Sequence, residues 1–558
     1  MRLVPRVEQV LVVLVYSAHV LLVPGTKVEE SFTLHATRDV VVRGTSRLAI
    51  PHYDHAEFAG AVPRSLIPPT LLAILSTPVL DLAKRCGAIR DGLDAQIIIR
   101  LVLALTSALA LLFLASRVRS TYGGRTARYL LLLSATQFHV PFWAGRTVPN
   151  MLAFPIVQVA LGLFVSPPTL QALSRPRFET RRNILVGFAL LTFAAIVIRL
   201  ELIALIAPFA LENLLQGSVG LVELAVTGTV SALLSLGASI GVDTYFWQQR
   251  ETWLWPEGYA FWFNVVEGKS AEWGVSPPLY YFTSALPRLL HLSLIPAAFS
   301  FLLDRRSRRL LLPCLVYVGL LSALKHKEWR FVVYVVPAFT IAAAGGIVGL
   351  GAFTASPRLR RLALLALVGA NLVLTALGLV ASSQNYPGLA AVTFLRSSHL
   401  AITSDHTVAK LATVHVHVGI EAKMTGASNF VLLDQPAQAR AHLENDAAPR
   451  AWYLPSLSPS TSTVTPEIVY SRLETPAFET LRGLARSGEF DYALVSAAAA
   501  DDEDDEAASA PVGTETLYEA PVFAGFDWRA VLLRGKVGEV VRTKPAVRVV
   551  KLPRSDRA

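Results

Sequence analysis

The sequence predicts a polytopic α-helical membrane protein of about eleven spans, followed by a small α/β domain outside the bilayer. Three observations carry that expectation. Of 558 residues, 53% are hydrophobic and only 16% charged, with a mean hydropathy of +0.47, too apolar for a soluble globular chain. The apolar residues gather in runs of about 15–23, the length a helix needs to cross the hydrocarbon core. The basic surplus, a formal net charge of +10, lies mostly in short loops between those runs. In a soluble chain that charge would suggest nucleic acid. Here the arginines set orientation, and the partner they imply is the bilayer, with no nucleic acid.

The runs fall at 8–23, 95–116, 129–143, 151–167, 183–198, 201–215, 219–241, 289–303, 310–324, 331–353 and 362–382. The loops between them alternate. One set holds Arg2 and Arg6, the groups Arg117 to Arg128, Arg175 to Arg182 and Arg305 to Arg309, and Arg358 to Arg361. The positive-inside rule assigns that set, with the N-terminus, to the cytoplasm. The opposite side receives 24–94, 144–150, 242–288, 325–330 and the chain from about 383. Leu66 to Ala83 is apolar enough to span, and counting it would invert everything downstream. Pro68, Pro69 and Pro78 disfavour a straight helix, so this stretch is expected to be re-entrant or interfacial. The first run has the basic flank of a signal peptide, and is expected to be retained because an acidic motif needing an anchor follows at once.

Two domains result, a catalytic membrane domain over 1–382 and a C-terminal domain over 383–558. The tail has fewer apolar runs and more Asp, Glu, Ser and Pro. Tyr492 to Val495 and Val547 to Val550 read as short strands, and Ala437 to Leu443 as a helical piece. The acidic run Asp501 to Glu506 reads as a solvated loop. The two cysteines, Cys86 in a loop and Cys314 in an apolar run, predict neither a disulfide nor a metal site.

Charge density singles out the candidate site. Lys325-His326-Lys327-Glu328-Trp329-Arg330 places five ionisable side chains in six residues between two uncharged apolar runs. Drawing an ionised group to a helix centre costs about 2.5–3.5 kcal/mol, and a connecting turn needs no such density. The turn therefore suits a charged ligand at the membrane surface, most simply a phosphate carried on a lipid. After the first span comes Thr26-Lys27-Val28-Glu29-Glu30-Ser31-Phe32. Its paired carboxylates suit a general base or, equally, an acidic helix start. In His52 to Ser65, Asp54, His55 and Glu57 lack diagnostic metal spacing. They read better as a hydrogen-bonded scaffold, with Arg64 placed to meet an anion.

The loop from Val242 carries Asp243, Trp247, Trp253, Trp255-Pro256-Glu257-Gly258, Trp262, Asn264 and Glu272-Trp273-Gly274. Such aromatic density suits an interfacial belt and also sugar recognition, in which rings stack on Trp while carboxylates bind hydroxyls. Arg199 and Glu201 read as a buried ion pair. No phosphate-cradling glycine loop is present. The Asp502-Glu503-Asp504 triplet lies far from the other motifs, so a lipid-borne donor is favoured over a nucleotide sugar.

His326-Lys327-Glu328-x-Arg330-Phe331 resembles the signature of glycosyltransferase family 22, the dolichyl-phosphate-mannose-dependent mannosyltransferases of the endoplasmic reticulum. Four further stretches resemble one branch, which adds an α-1,6 mannose, the eighth, to the lipid-linked oligosaccharide. These are Thr26 to Phe32, Tyr53-Asp54-His55-x-Glu57-Phe58, the block from Trp255-Pro256-Glu257-Gly258 to Ser270-Ala271-Glu272-Trp273-Gly274, and Ser284 to Arg288. The resemblance covers about the first 350 residues in blocks, with a weak echo at Thr425 to Phe430. Ala59 and Ser65 stand where the pattern has Pro and Thr, and Glu29-Glu30 where other branches have Asp-Glu.

The resemblance implies a C-type glycosyltransferase fold in the endoplasmic reticulum membrane, with the active site and C-terminal domain facing the lumen. It implies inverting transfer from dolichyl phosphate mannose, a co-substrate, to a dolichol-pyrophosphate-linked heptamannosyl oligosaccharide, with no metal and no cofactor. Glu29 takes the base position, with Glu30 as the alternative. Arg64, His326, Lys327 and Arg330 are expected at the donor phosphate, and Asp54, His55, Glu57, Asp243, Trp255, Glu257, Glu272 and Trp273 at acceptor or sugar. Rival readings are another member of the family, making α-1,2 linkages on lipid-linked oligosaccharide or GPI-anchor precursors, and a polytopic transporter. The missing internal repeat and the one-sided clustering of polar loops count against a transporter.

Overall fold

The computed structural model describes residues 6–165, 177–248, 253–354, 356–399, 413–432, 467–472, 480–497, 514–527 and 540–553. The chain forms two compact units. The first comprises Met1–Leu21, Ser46–Leu72 and Arg100–Ala376, and the second Leu22–Thr45, Ala73–Ile99 and Leu377–Ala558. The second unit thus takes in two early segments that the sequence assigns to the membrane domain.

The first unit is helical. Among the described residues, six helices are long and apolar enough to cross a membrane: Gly92–Tyr122, Glu179–Val197, Leu221–Phe246, Tyr281–Leu303, Trp329–Phe353 and Pro357–Ser383. The shorter apolar helices Val7–Leu22 and Pro149–Phe164 join them. Other apolar runs take shorter forms. The run 129–143 divides into Gly124–Thr136 and His139–Ala144, and 201–215 yields Ile203–Leu215. The run at 66–83 forms one continuous helix, Ile67–Arg85. Pro68 and Pro69 fall in its first turn, where no amide needs an intrahelical acceptor, so only Pro78 interrupts the bonding.

Burial reveals the solvent these helices are built for. In Leu221–Phe246 the buried residues are Ser235, Ser239, Asp243 and Phe246, while Leu221, Val222, Val226, Val230, Leu233 and Leu234 are exposed. A helix with its polar stripe inward and its apolar face outward belongs in lipid. Val336–Phe353 is by contrast buried along most of its length. Its Gly346 lies so close to Leu294–Leu303 that an added Cβ would stand 1.9 Å from the Pro296 carbonyl oxygen.

The second unit is built on a five-stranded sheet of order β2-β1-β3-β5-β4. The strands are β1 (Thr413–Val418), β2 (Glu467–Ser471), β3 (Tyr492–Ser496), β4 (Glu515–Phe526) and β5 (Val541–Lys551). Both strands expected from the sequence lie within it, in β3 and β5. β1 pairs in parallel with β2 and β3, whereas β5 is antiparallel to β3 and β4. Alternating Val414, Val416 and Val418 of β1 and Val547 and Val549 of β5 supply its core with Ala391, Val392 and Leu395, the period-2 pattern of strands with one face inward. Ala437 to Leu443 and Asp501 to Glu506 lie outside the described residues.

Candidate active site

In the second unit, the helix Val28–Arg43 begins on the acidic motif. Glu30 is fully buried and turned back on its own helix, its Oε1 accepting from the Lys27 amide at 3.0 Å. Glu29 is exposed, and among the described residues its carboxylate has no hydrogen-bond partner. The two neighbours therefore divide the work: one closes the helix N-terminus, and the other is presented to solvent.

Contacts from distant parts of the same unit fix this helix. The Asn429 amide donates to His35 Nε2 at 3.2 Å, and Arg472 donates to the Asn429 side-chain oxygen at 2.7 Å. Gln96 reaches the Pro24 carbonyl at 2.9 Å and accepts from Ser428 Oγ at 2.6 Å. Lys27 Nζ lies 5.3 Å from the centre of the Tyr386 ring. The weakly matching block near Thr425 to Phe430 thus holds the chain just before the acidic motif and the helix that follows it, through Ser428 and Asn429.

In the first unit, Asp243 is fully buried. Its Oδ1 accepts from Ser65 Oγ at 3.1 Å and the Leu66 amide at 2.7 Å, and its Oδ2 from Ser239 Oγ at 2.7 Å. Trp247 Nε1 donates to the Arg64 carbonyl at 3.0 Å. His55 Nε2 bonds the Phe246 carbonyl oxygen at 2.9 Å, and its ring lies 4.7 Å from that of Trp247. Trp247 thereby holds the Arg64 carbonyl and Asp243 the two residues that follow it, while His55 ties the neighbouring loop to Phe246. Among the described residues, no carboxylate lies within ion-pair distance of the Arg64 guanidinium, yet burial pushes its pKa down to about 10. Arg199 and Arg330 add repulsion, and Glu257 and Glu328 partly offset it.

Arg199 supplies a second guanidinium. It donates to Glu201 Oε1 at 2.9 Å and stands 5.3 Å from the centre of the Phe331 ring. Asn150 bridges Glu201 and Tyr334 at 2.9 and 3.2 Å. Burial opposes the charge on Arg199, but Glu201 and Glu257 more than offset that and raise its pKa. Glu257 itself accepts from the Leu200 amide at 2.9 Å. Burial raises its carboxyl to about 7, against the opposing pull of Arg199. Trp255, two residues earlier, donates to the Ile196 carbonyl at 2.9 Å. Its ring covers Gly258, where a Cβ would meet Cε3 at 2.1 Å. The Trp-Pro-Glu-Gly sequence is thus a wedge that brings Glu257 against Leu200.

In the charged turn, Glu328 is the hub. His326 Nε2 lies 3.1 Å from its Oε1, and Arg330 donates to the same oxygen at 2.8 Å. His326 Nδ1 bonds the carbonyl of Gly274 at 3.1 Å, a residue with φ of 101°, where glycine alone is comfortable. Lys327 is buried and donates to the carbonyls of Ser276, at 3.1 Å, and Leu324. The structure therefore groups Arg64 and Arg330 with Glu257 and adds Arg199, while Lys327 is engaged in tying two chain segments together. Arg199 was visible in the sequence only as one half of an ion pair. Its signal was a basic residue closing an uncharged apolar run.

The other expected residues are dispersed. Asp54 and Glu57 share one helical turn with His55, and Glu272 is exposed in the turn Lys269–Trp273. The side chain of Trp273 lies outside what is described. Among the described residues, no three His, Cys, Asp or Glu side chains gather to hold a metal ion.

Comparison with known proteins follows this geometry. The model of the Alg9-like mannosyltransferase family matches residues 10–431. Among curated proteins, the chain is similar to a Drosophila melanogaster protein named Dol-P-Man:Man(7)GlcNAc(2)-PP-Dol alpha-1,6-mannosyltransferase, with 34% identity over 76% of this chain and 58% of that one. The chain thus spans little more than half of that relative's length. The protein of the same name from Arabidopsis thaliana is 30% identical over 76% of this chain and 80% of its own. Among solved structures, ArnT from Cupriavidus metallidurans, bound to undecaprenyl phosphate, aligns over 97% of this chain and 96% of its own with a TM-score of 0.54. At 13% identity that likeness concerns the fold.

Proposed function

The chain belongs to the Alg9-like mannosyltransferase family, and we propose that within it the protein transfers mannose from dolichyl phosphate mannose to a dolichol-linked heptamannosyl oligosaccharide, forming an α-1,6 linkage in the N-glycan precursor. The names of the matching relatives support that acceptor and linkage. The setting proposed is the endoplasmic reticulum membrane, with a C-type glycosyltransferase fold of about eleven spans and the motif loops on the lumenal side, as the distribution of arginines suggests.

The observation that carries the chemistry is Arg64, a half-buried guanidinium with no carboxylate at ion-pair distance among the described residues, repelled by Arg199 and Arg330. Repulsion among cations partly withdrawn from water is relieved by an anion, and the lipid phosphate is that anion. Arg64, Arg199 and Arg330 hold it, while His326, Glu328 and Lys327 hold the turn. In one inverting step the acceptor hydroxyl oxygen bonds the anomeric carbon of the β-mannosyl phosphate. The bond from that carbon to the phosphate oxygen breaks, its electron pair leaves with dolichyl phosphate, and the hydroxyl proton passes to Glu29. Preorganised cations favour the departing charge. Charge separation along the breaking bond gives the sugar oxocarbenium character.

The test is transfer of labelled mannose from dolichyl phosphate mannose by the purified protein. Heptamannosyl and shorter dolichol-linked acceptors are compared, and products are digested with linkage-specific mannosidases. An α-1,6 mannose on the heptamannosyl acceptor is expected. Transfer to a different glycan, or in another linkage, would overturn the acceptor assignment, and no transfer to any lipid-linked glycan would overturn the reaction.

A further inference from the structure

Within the second unit, a cavity of about 480 Å³ is lined in part by Gly25, Ser383, Tyr386, Thr393, Phe394 and Tyr518. Among the described residues no charged side chain lines it, and so none is there to hold a phosphate or a nucleotide. Phe394 and Tyr518 stack nearly parallel, ring centres 4.4 Å apart at 13°. Both are half-buried, which leaves a flat apolar face toward the opening, and Ser383 and Thr393 are exposed beside them. Aromatic faces with two hydroxyls beside them, which donate to Val380 and Leu389 and keep lone pairs to accept, on a lining otherwise partly aliphatic, suit an uncharged polyhydroxylated ring, whose C–H face stacks while its hydroxyls donate.

The cavity adjoins the acidic motif along the chain. Tyr386 packs so tightly on Gly25 that a Cβ there would fall 2.4 Å from the ring, and its ring also faces the Lys27 ammonium. Gly25 and Glu29 are four residues apart, at most about 14 Å of chain. A sugar in this cavity therefore belongs to the same oligosaccharide that presents a hydroxyl to Glu29.

We propose that this cavity binds a non-reacting mannose of the acceptor, so that the branch pattern of the glycan, and not its terminal sugar alone, selects the substrate. The proposal rests on the reading of Glu29 as base. Its test uses the full-length protein with two variants. Tyr518→Ala removes the stacking face, and Ser383→Trp fills the cavity from an exposed position without removing packing. The readouts are KM for the heptamannosyl lipid acceptor and the inhibition constant of the same oligosaccharide freed from its lipid. Both constants should rise about tenfold with kcat and thermal unfolding near wild type, the signature of lost acceptor binding. Unchanged constants in both variants would overturn the proposal. So would a KM that follows the length of the isoprenoid chain while the free glycan inhibits as before, which would assign the cavity to lipid. If the wild-type protein transfers no mannose to any lipid-linked glycan, the reaction itself falls, and this inference with it.

Discussion

Replacing Glu29 and Glu30 by glutamine, one at a time, separates the chemistry of the acidic motif from its architecture. Glu30 is fully buried and accepts from the Lys27 amide at 3.0 Å. A glutamine carbonyl oxygen can accept the same bond, so Glu30→Gln exchanges a charge-assisted hydrogen bond for a neutral one and loses a favourable helix-end interaction. Together these cost about 1–2 kcal/mol of stability, with turnover still within about tenfold of wild type because the helix keeps its position. Glu29 is exposed, so Glu29→Gln should leave stability within about 0.5 kcal/mol of wild type. Its turnover should nonetheless fall about 10²- to 10⁴-fold, the usual contribution of a general base, or about 2.7–5.4 kcal/mol of activation free energy. Single-turnover transfer of labelled mannose, run beside thermal unfolding and donor binding, resolves the two effects. Glu29→Gln with near-normal turnover and an inactive, stable Glu30→Gln would refute the reasoning and exchange the two roles.

Three further outcomes are expected. Asp243→Ala deletes the acceptor of three buried hydrogen bonds, from Ser65, Leu66 and Ser239, and should destabilise the protein by about 2–4 kcal/mol; Asp243→Asn should recover part of that loss in thermal unfolding. Arg199→Ala removes the ion-pair partner of Glu201, which keeps Asn150 as a donor, and should cost about 1.5–3 kcal/mol, with Arg199→Lys intermediate in both stability and KM for the donor. Glu257 titrates at about 7 when folded against 4.5 as its ordinary value, so the folded state binds the extra proton between those pH values. Its contribution is therefore full below about 4.5 and is lost as pH rises through 7; unfolding followed across that window should show stability declining with pH, with a shallower decline in Glu257→Gln.

Six of the eleven expected runs became helices long and apolar enough to cross a membrane, and these and the charged turn were legible because both are local patterns. Apolar run length and ionisable density need no knowledge of partners. The short apolar stretches that became β3 and β5 were readable for the same reason. Roles set by distant partners were not. Asp243 meets Ser65 across 178 residues and Asn429 meets His35 across 394, and no local period reports such contacts. The N-terminal closure by Glu30 was hidden differently, since Lys27 replaces the Ser, Thr, Asp or Asn that normally announces an N-cap. The stretch at 66–83, expected to be re-entrant or interfacial, is a helix outside the six candidate spans, and it stays continuous because two of its three prolines occupy the first turn.

The charged turn shows how ionisable density in a membrane protein should be interpreted. Five titratable side chains in six residues suggested a cluster aimed at a ligand. In the fold, Glu328 takes up His326 and Arg330, and Lys327 donates to two backbone carbonyls. Much of the charge thus satisfies protein groups that the surroundings keep from water, where an unpaired carbonyl or carboxylate is costly. The charge left for a ligand is better sought where compensation is incomplete. Arg64 meets that criterion: its carbonyl is held by Trp247 and the chain just after it by Asp243, through Leu66, while Arg199 and Arg330 repel its charge. If the argument holds, Arg64→Ala should weaken binding of the donor lipid phosphate more than Lys327→Ala, although Lys327→Ala should be the more destabilising in thermal unfolding. The reverse order in both measurements would return the phosphate to the turn.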